Sequence, residues 1–270
     1  MESSEKEDFD YKALGEVADE LGDQRLRSDH AVGEWGVYDE EIVRFAWTFR
    51  DVLPVKSEIN TQPFKQRILT IGEKFEHYIR TTLGHEGEDK LMAIEFGGPG
   101  NHLFAGFPDG LFKQTFGVCL EGDIELNEDS APKSEKHRVL HVDIFDVSLY
   151  RKLRELSSPA GGFSLIISRL VGAHALVSRD SRVLVLVLGA WYDLLLENGL
   201  MFVEYANYAS AKWRGPAVEG DLENYHTMQK WAQMLRKDYS DVLDVSVAAS
   251  VFRLWKKEGA PKKLPLLPNT

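Results

Sequence analysis

The sequence predicts an α/β fold: a doubly wound, mostly parallel seven-stranded sheet with a closing antiparallel strand, plus N-terminal helices. Three observations carry that expectation. After Gly84 the chain changes to short apolar runs divided by turns and helical stretches, and such alternation implies parallel strands joined by right-handed crossovers. Three of the runs end at or near an acidic residue, namely Glu95, Glu121 and Asp143. The last two runs, Asp241–Val247 and Val251–Trp255, stand too close together for a crossover helix and must therefore pair antiparallel.

Composition is in keeping with this. The chain has 270 residues, 43% of them hydrophobic and 28% charged, enough for a sizeable core. It divides into an acidic tail or lid segment (1–38), a helical N-terminal extension (39–87), a sheet domain (88–257) and a flexible tail (258–270). A net charge of −11 argues against a broad nucleic-acid surface. The lone cysteine, Cys119, excludes an intrachain disulfide and suits a reducing compartment. The N-terminal stretch lacks the apolar core of a signal peptide, and no apolar run is long enough to span a bilayer. The expectation is a soluble, intracellular and cytoplasmic protein without a membrane partner.

Taken in order, residues 1–30 are polar and acidic, either a mobile tail or a short helix around Tyr11–Leu21. Trp35 and Tyr38, among glycines, either dock the tail or cap a pocket. Glu40–Phe49 reads as a helix with Ile42, Val43, Phe45, Ala46 and Phe49 on one side, broken by Pro54. From Pro63 to Leu83, Phe64, Ile68, Ile71, Phe75 and Tyr78 recur at helical spacing, with Pro63 and Gly84 at the ends. Leu91–Phe96, Phe116–Leu120 and Arg138–Ile144 are the first three expected strands. A helix follows over Leu149–Leu156, then a strand over Phe163–Ile167. Ser181–Asn198 is expected as a buried helix, although Val183–Leu188 also fits a strand. Leu200–Tyr205 is the fifth strand and Leu222–Lys237 an amphipathic helix before the closing pair.

Chemistry concentrates at the ends of the first three strands, because the carboxyl edge of an open parallel sheet lines the ligand crevice. Glu95 is followed by Gly97-Gly98-Pro99-Gly100, where missing side chains let backbone approach a nucleotide-like ligand. Glu121, about 26 positions on, stands near the spacing at which a carboxylate reaches ribose hydroxyls. The loop does not fit the dinucleotide pattern G-x-G-x-x-G, and it lacks the lysine and Ser/Thr of a P-loop.

At these motifs the chain resembles the Rossmann-like (class I) S-adenosylmethionine-dependent methyltransferases, over about residues 88–257. The resemblance rests on Ala93-Ile94-Glu95-Phe96-Gly97-Gly98-Pro99-Gly100, Val118-Cys119-Leu120-Glu121 and Leu140-His141-Val142-Asp143-Ile144-Phe145-Asp146. It continues through Phe163-Ser164-Leu165-Ile166-Ile167-Ser168 and the run from Leu194 to Val203. It implies S-adenosylmethionine as cofactor and S-adenosylhomocysteine as product. Glu95, Gly97, Gly98 and Gly100 would surround the methionine part, Glu121 would bind the ribose and Asp143 the adenine amino group. In that family strand seven returns antiparallel beside strand five, which fits Val251–Trp255. Pro99 and Asn101 depart from the family's second and third glycines, and Ser168-Arg169 stands where amide and base N-methylators carry Asn-Pro-Pro-Tyr. Two readings follow: a methyltransferase with an unidentified acceptor, a small molecule among the options, or a methyltransferase-like binding or scaffolding protein with a decayed site. A nucleotide-sugar or nicotinamide enzyme on a related sheet is a third, more distant reading.

Catalytic residues are not assigned by these motifs. His174, after the fourth strand, either takes a proton from an acceptor or packs. Tyr205, Asn207 and Tyr208 either line an acceptor pocket or pack. His137 and His141 would lie side by side only on a helix, and their segment reads as a strand. No cysteine or carboxylate cluster completes a zinc set, so no metal is expected.

Overall fold

The apolar runs after Gly84 form seven strands: β1 Met92–Phe96, β2 Gln114–Cys119, β3 His137–His141, β4 Phe163–Arg169, β5 Leu195–Glu204, β6 Leu243–Ala248 and β7 Val251–Lys256. They join in one sheet of order β3-β2-β1-β4-β5-β7-β6. Pairings from β3 through β5 are parallel, whereas β7 runs antiparallel to both β5 and β6. This is a computed structural model, and it describes residues 9–21, 46, 48–54, 63–84, 91–119, 135–169, 181–205, 219–248 and 251–265.

Helices cover both faces. They are α1 Tyr11–Leu21, α2 Phe64–Leu83, α3 Asn101–Ala105, α4 Val147–Leu156, α5 Ser181–Leu194 and α6 Glu219–Asp238, with a 3-10 turn at Arg50–Val52. Alternation along the strands builds a core on each side. Met92, Ile94 and Phe96 of β1 face α1, α4, α5 and α6 in one cluster, while Leu91 and Ala93 face α2, α3 and the 3-10 turn in the other. Every residue of β1 is buried, as a central parallel strand between two layers requires. On α2, Ile71, Phe75, Ile79 and Leu83 form the buried stripe, and Phe75 and Phe49 each meet Phe202 of β5 at 5.3 Å between ring centroids. Among the described residues no helix is long and apolar enough to cross a membrane.

Val183–Leu188 lies within α5, which resolves that ambiguity in favour of helix. The helix ends sooner than Asn198, however, because Leu195 already pairs with Phe163. Asn198 then takes a left-handed φ of 62° and the register slips before Leu200 rejoins Leu165. A Cβ on Gly199 would stand 2.8 Å from Leu195 Cδ1 and from the Leu196 carbonyl, so glycine permits this fold-back.

The third strand is shorter than expected and stops at His141. Asp143 lies in the turn beyond it, and the Asp146 carboxylate caps α4 by accepting from Ser148 N–H at 2.8 Å. Residues 1–30 offer few apolar anchors in sequence, yet α1 is docked. Leu14 and Ala18 are buried, and the Tyr11 hydroxyl donates to Asp193 of α5 at 2.5 Å. The tail from 258 is also held as far as Pro265, contrary to a flexible tail. Tyr192 Oη and Trp231 Nε1 donate to the Pro261 and Pro265 carbonyls at 2.7 and 2.6 Å, and Leu264 is buried. The helix expected over Glu40–Phe49 lies largely outside the described residues, as do Trp35 and Tyr38.

Candidate functional site

Strand order reverses between β1 and β4, so the topological switch point of the sheet lies at their carboxyl ends. The glycine-rich loop leaves β1 at this place. Gly97 has φ 88° and Gly100 φ 75°, backbone shapes that L side chains rarely adopt. The unusual angles of the loop thus belong to Gly97 and Gly100. Gly98 is needed for a different reason: a Cβ there would stand 2.5 Å from Glu95 Oε1. Glu95, buried at the end of β1, holds its carboxylate against that bare backbone.

The loop folds back onto β2. Gly97 N–H donates to the Val118 carbonyl at 2.8 Å, and Gly98 bridges Val118. Pro99 lies over Gly117, where any Cβ would overlap its carbonyl. A glycine inside a buried strand is a sign of such backbone approach, and that was the signal available for Gly117. From edge strand β3, His137 Nε2 meets the Pro99 carbonyl at 2.7 Å and Nδ1 meets Thr115 Oγ1 at 2.8 Å. Burial lowers the His137 pKa from its ordinary value, while the Pro99 carbonyl acts in the opposite direction. Thr115 and His137 stand opposite each other in the β2–β3 register, a proximity that no spacing in sequence announces.

Asp143 turns one carboxylate oxygen to its own turn, with Oδ1 accepting from Phe145 N–H at 3.0 Å. Glu95 is level with Gly117 of β2 and Val139 of β3, so Asp143 stands further out along the carboxyl edge. Glu121, His174, Asn207 and Tyr208 lie outside the described residues. Tyr205 is fully buried in the core shared with α5, which is the packing alternative. Ser168, opposite Phe96 of β1 and Val203 of β5, is also fully buried. Its hydroxyl has no hydrogen-bond partner among the described residues, a state that costs about 1–3 kcal/mol if left unfilled.

No protein-family model matches the chain, and no curated protein matches it either. Among solved structures, MycE methyltransferase from the mycinamycin biosynthetic pathway, in complex with Mg, SAH and mycinamycin VI, is 13% identical with a TM-score of 0.41 over 74% of this chain. This chain spans 60% of the length of MycE. The N-methyltransferase NodS from Bradyrhizobium japonicum WM9 is 12% identical, with a TM-score of 0.39 over 69% of this chain and 96% of its own. An O-methyltransferase family protein from Burkholderia thailandensis is 13% identical, with a TM-score of 0.40 over 92% of this chain and 71% of its own. Likenesses this distant transfer no residue role to this chain.

Proposed function

We propose that the chain is an S-adenosylmethionine-dependent methyltransferase acting on an unassigned acceptor. The observation that supports this most is the placement of the glycine-rich loop. It leaves β1 at the β1/β4 switch point of a sheet in which β7 returns antiparallel between β5 and β6. The residues there suit an S-adenosyl ligand in two respects. Gly97, Gly98 and Gly100 keep backbone free of side chains beside a buried carboxylate, and the buried Ser168 hydroxyl lacks a partner among the described residues. Glu95, Gly97, Gly98 and Gly100 would hold the methionine part, Glu121 the ribose and Asp143 the adenine amino group.

When bound, the cofactor supplies a methyl group made electrophilic by its sulfonium, with S-adenosylhomocysteine as product. The chain itself aligns the two reactants and excludes water around them. Where the acceptor is a hydroxyl, His174 is the candidate to take its proton, packing being its other reading. The net charge of −11 favours a small-molecule acceptor over a nucleic acid.

A second reading, a binding or scaffolding protein with a decayed site, is favoured by Pro99. Proline removes a backbone donor from the loop, and its carbonyl is already engaged by His137. Calorimetric titration with S-adenosylhomocysteine separates the two. Under the methyltransferase reading wild type binds, and Glu121→Ala weakens binding by about 1.5–3 kcal/mol, the worth of hydrogen bonds to a charged acceptor. No binding by wild type, with binding gained in Pro99→Gly, would replace the enzyme by the scaffold.

A further inference from the structure

The His137 ring joins parts of the chain that are distant in sequence: β3, Thr115 on β2 and Pro99 in the glycine-rich loop. A carbonyl oxygen can only accept, so Nε2 carries the hydrogen bonded to Pro99, and Nδ1 is left to accept from the Thr115 hydroxyl. This is the neutral ring with both nitrogens satisfied. Two glycines make the contact possible. Gly117 lets Pro99 settle on β2, and a Cβ on Gly100 would stand 3.2 Å from His137 Cε1.

We propose that His137 is a positioning residue, whose Nε2–H latches the glycine-rich loop onto β2 in the shape that receives an S-adenosyl ligand. The ligand's identity rests on the methyltransferase reading, whereas the latch depends on this chain alone. A loop held in shape before binding loses less freedom when the ligand arrives. Among the described residues the groups facing the ring are uncharged: Thr115 from β2, the Pro99 carbonyl and Gly100 from the loop, and the Phe104 ring of α3 at 6.1 Å between centroids. Glu95 of β1 abuts Gly98 in the same loop, and Arg138 and His141 share β3 with the ring. Among the described residues, only burial and the Pro99 carbonyl act on its proton. An open loop would return the ring to water and to its ordinary value. Acid therefore favours opening, and the latch weakens as pH falls below about 6.5.

Amide hydrogen exchange by NMR tests this at Gly97 and Phe104, whose N–H groups bond to Val118 and Gly100. Wild type, His137→Ala and His137→Gln are compared, each also titrated with S-adenosylhomocysteine. The Ala variant should lose about five- to tenfold in protection, the worth of one hydrogen bond, and in affinity by a similar factor. The Gln variant keeps a donor at similar reach and should retain both. Wild-type protection should also fall relative to the Gln variant as pH drops below about 6.5. Unchanged protection in the Ala variant overturns the latch, as does a Gln variant that loses as much or keeps the wild-type pH dependence. Should the Ala variant fail to fold, the comparison of wild type with Gln across pH decides. Protection that follows this pattern without ligand binding by wild type leaves the latch standing and removes the methyltransferase reading. Binding with protection unmoved by either variant does the reverse.

Discussion

At Gly117 a single hydrogen lets the Pro99 backbone lie on β2, and a methyl group in its place would overlap the Pro99 carbonyl. Backbone cannot swing aside as a side-chain tip does. Gly117→Ala should therefore lift the loop and cost about 1–3 kcal/mol, the usual cost of overpacking, read as a lower urea midpoint. Gly84→Ala is the matched control. At the end of α2 its φ is −66° and nothing stands within 4 Å of the added carbon. That change should be neutral or stabilise by up to about 1 kcal/mol. Equal losses from the two substitutions would show that Pro99 does not rest on Gly117. The acidic residue and three glycines of this loop were legible in sequence, since they are contiguous. Gly117 left only the sign of a glycine inside a strand, and Thr115 and His137 left none, since only strand register brings them to Pro99.

Among the elements, α5 ends unusually. Its last turn closes on Lys256 of β7, whose buried Nζ donates to the Leu195 and Tyr192 carbonyls at 2.8 and 3.3 Å and lies 4.1 Å from the Tyr192 ring centroid. A cation at a helix C-terminus is favourable, but burial dominates here and pushes the lysine down to about 8, against the opposing pull of Asp193 and Glu197. A folded-state pKa below the ordinary value means that the unfolded chain binds this proton more tightly. The lysine's contribution is thus complete above about 10.5 and is lost as pH falls through about 8. Relative to Lys256→Met, wild type should gain on the order of 1–3 kcal/mol between those two pH values, measured by urea unfolding. Parallel stability curves for the two proteins would reject a depressed lysine.

For the whole molecule, the layer of α2 and the 3-10 turn is tied to the far edge of the sheet through Arg253 of β7. Its guanidinium donates to the Val52 carbonyl at 2.9 Å, to Tyr78 Oη at 2.8 Å and to both Asp244 carboxylate oxygens at 3.0 Å. One planar fork thereby joins the 3-10 turn, α2 and β6. Lysine keeps the charge but cannot reach three partners in fixed directions. Arg253→Lys should cost about 2–3 kcal/mol in urea unfolding. The Asp244 side is half-exposed, and its ion pair contributes the smaller share. A loss below about 0.5 kcal/mol would mean that the helical layer is held by its apolar contacts alone.

The sequence by itself determined the fold class, the seven strands and their mainly parallel pairing. Each rests on local pattern: apolar runs such as Leu91–Phe96, turn residues such as Gly84, and a link before Val251 too short for a helix. It also marked the loop after β1, where glycines and a carboxylate stand together. Tertiary structure alone decided where α5 yields to β5, because Leu195 gains a ladder partner in Phe163 that helical spacing cannot foresee. It decided that α1 and the segment through Pro265 are docked, because single contacts such as Tyr11–Asp193 and Trp231–Pro265 join residues 182 and 34 positions apart. It decided, too, that His137 serves the loop. A contact between residues 38 positions apart leaves no periodicity in sequence, and only the folded register of β2 and β3 carries the ring to Pro99.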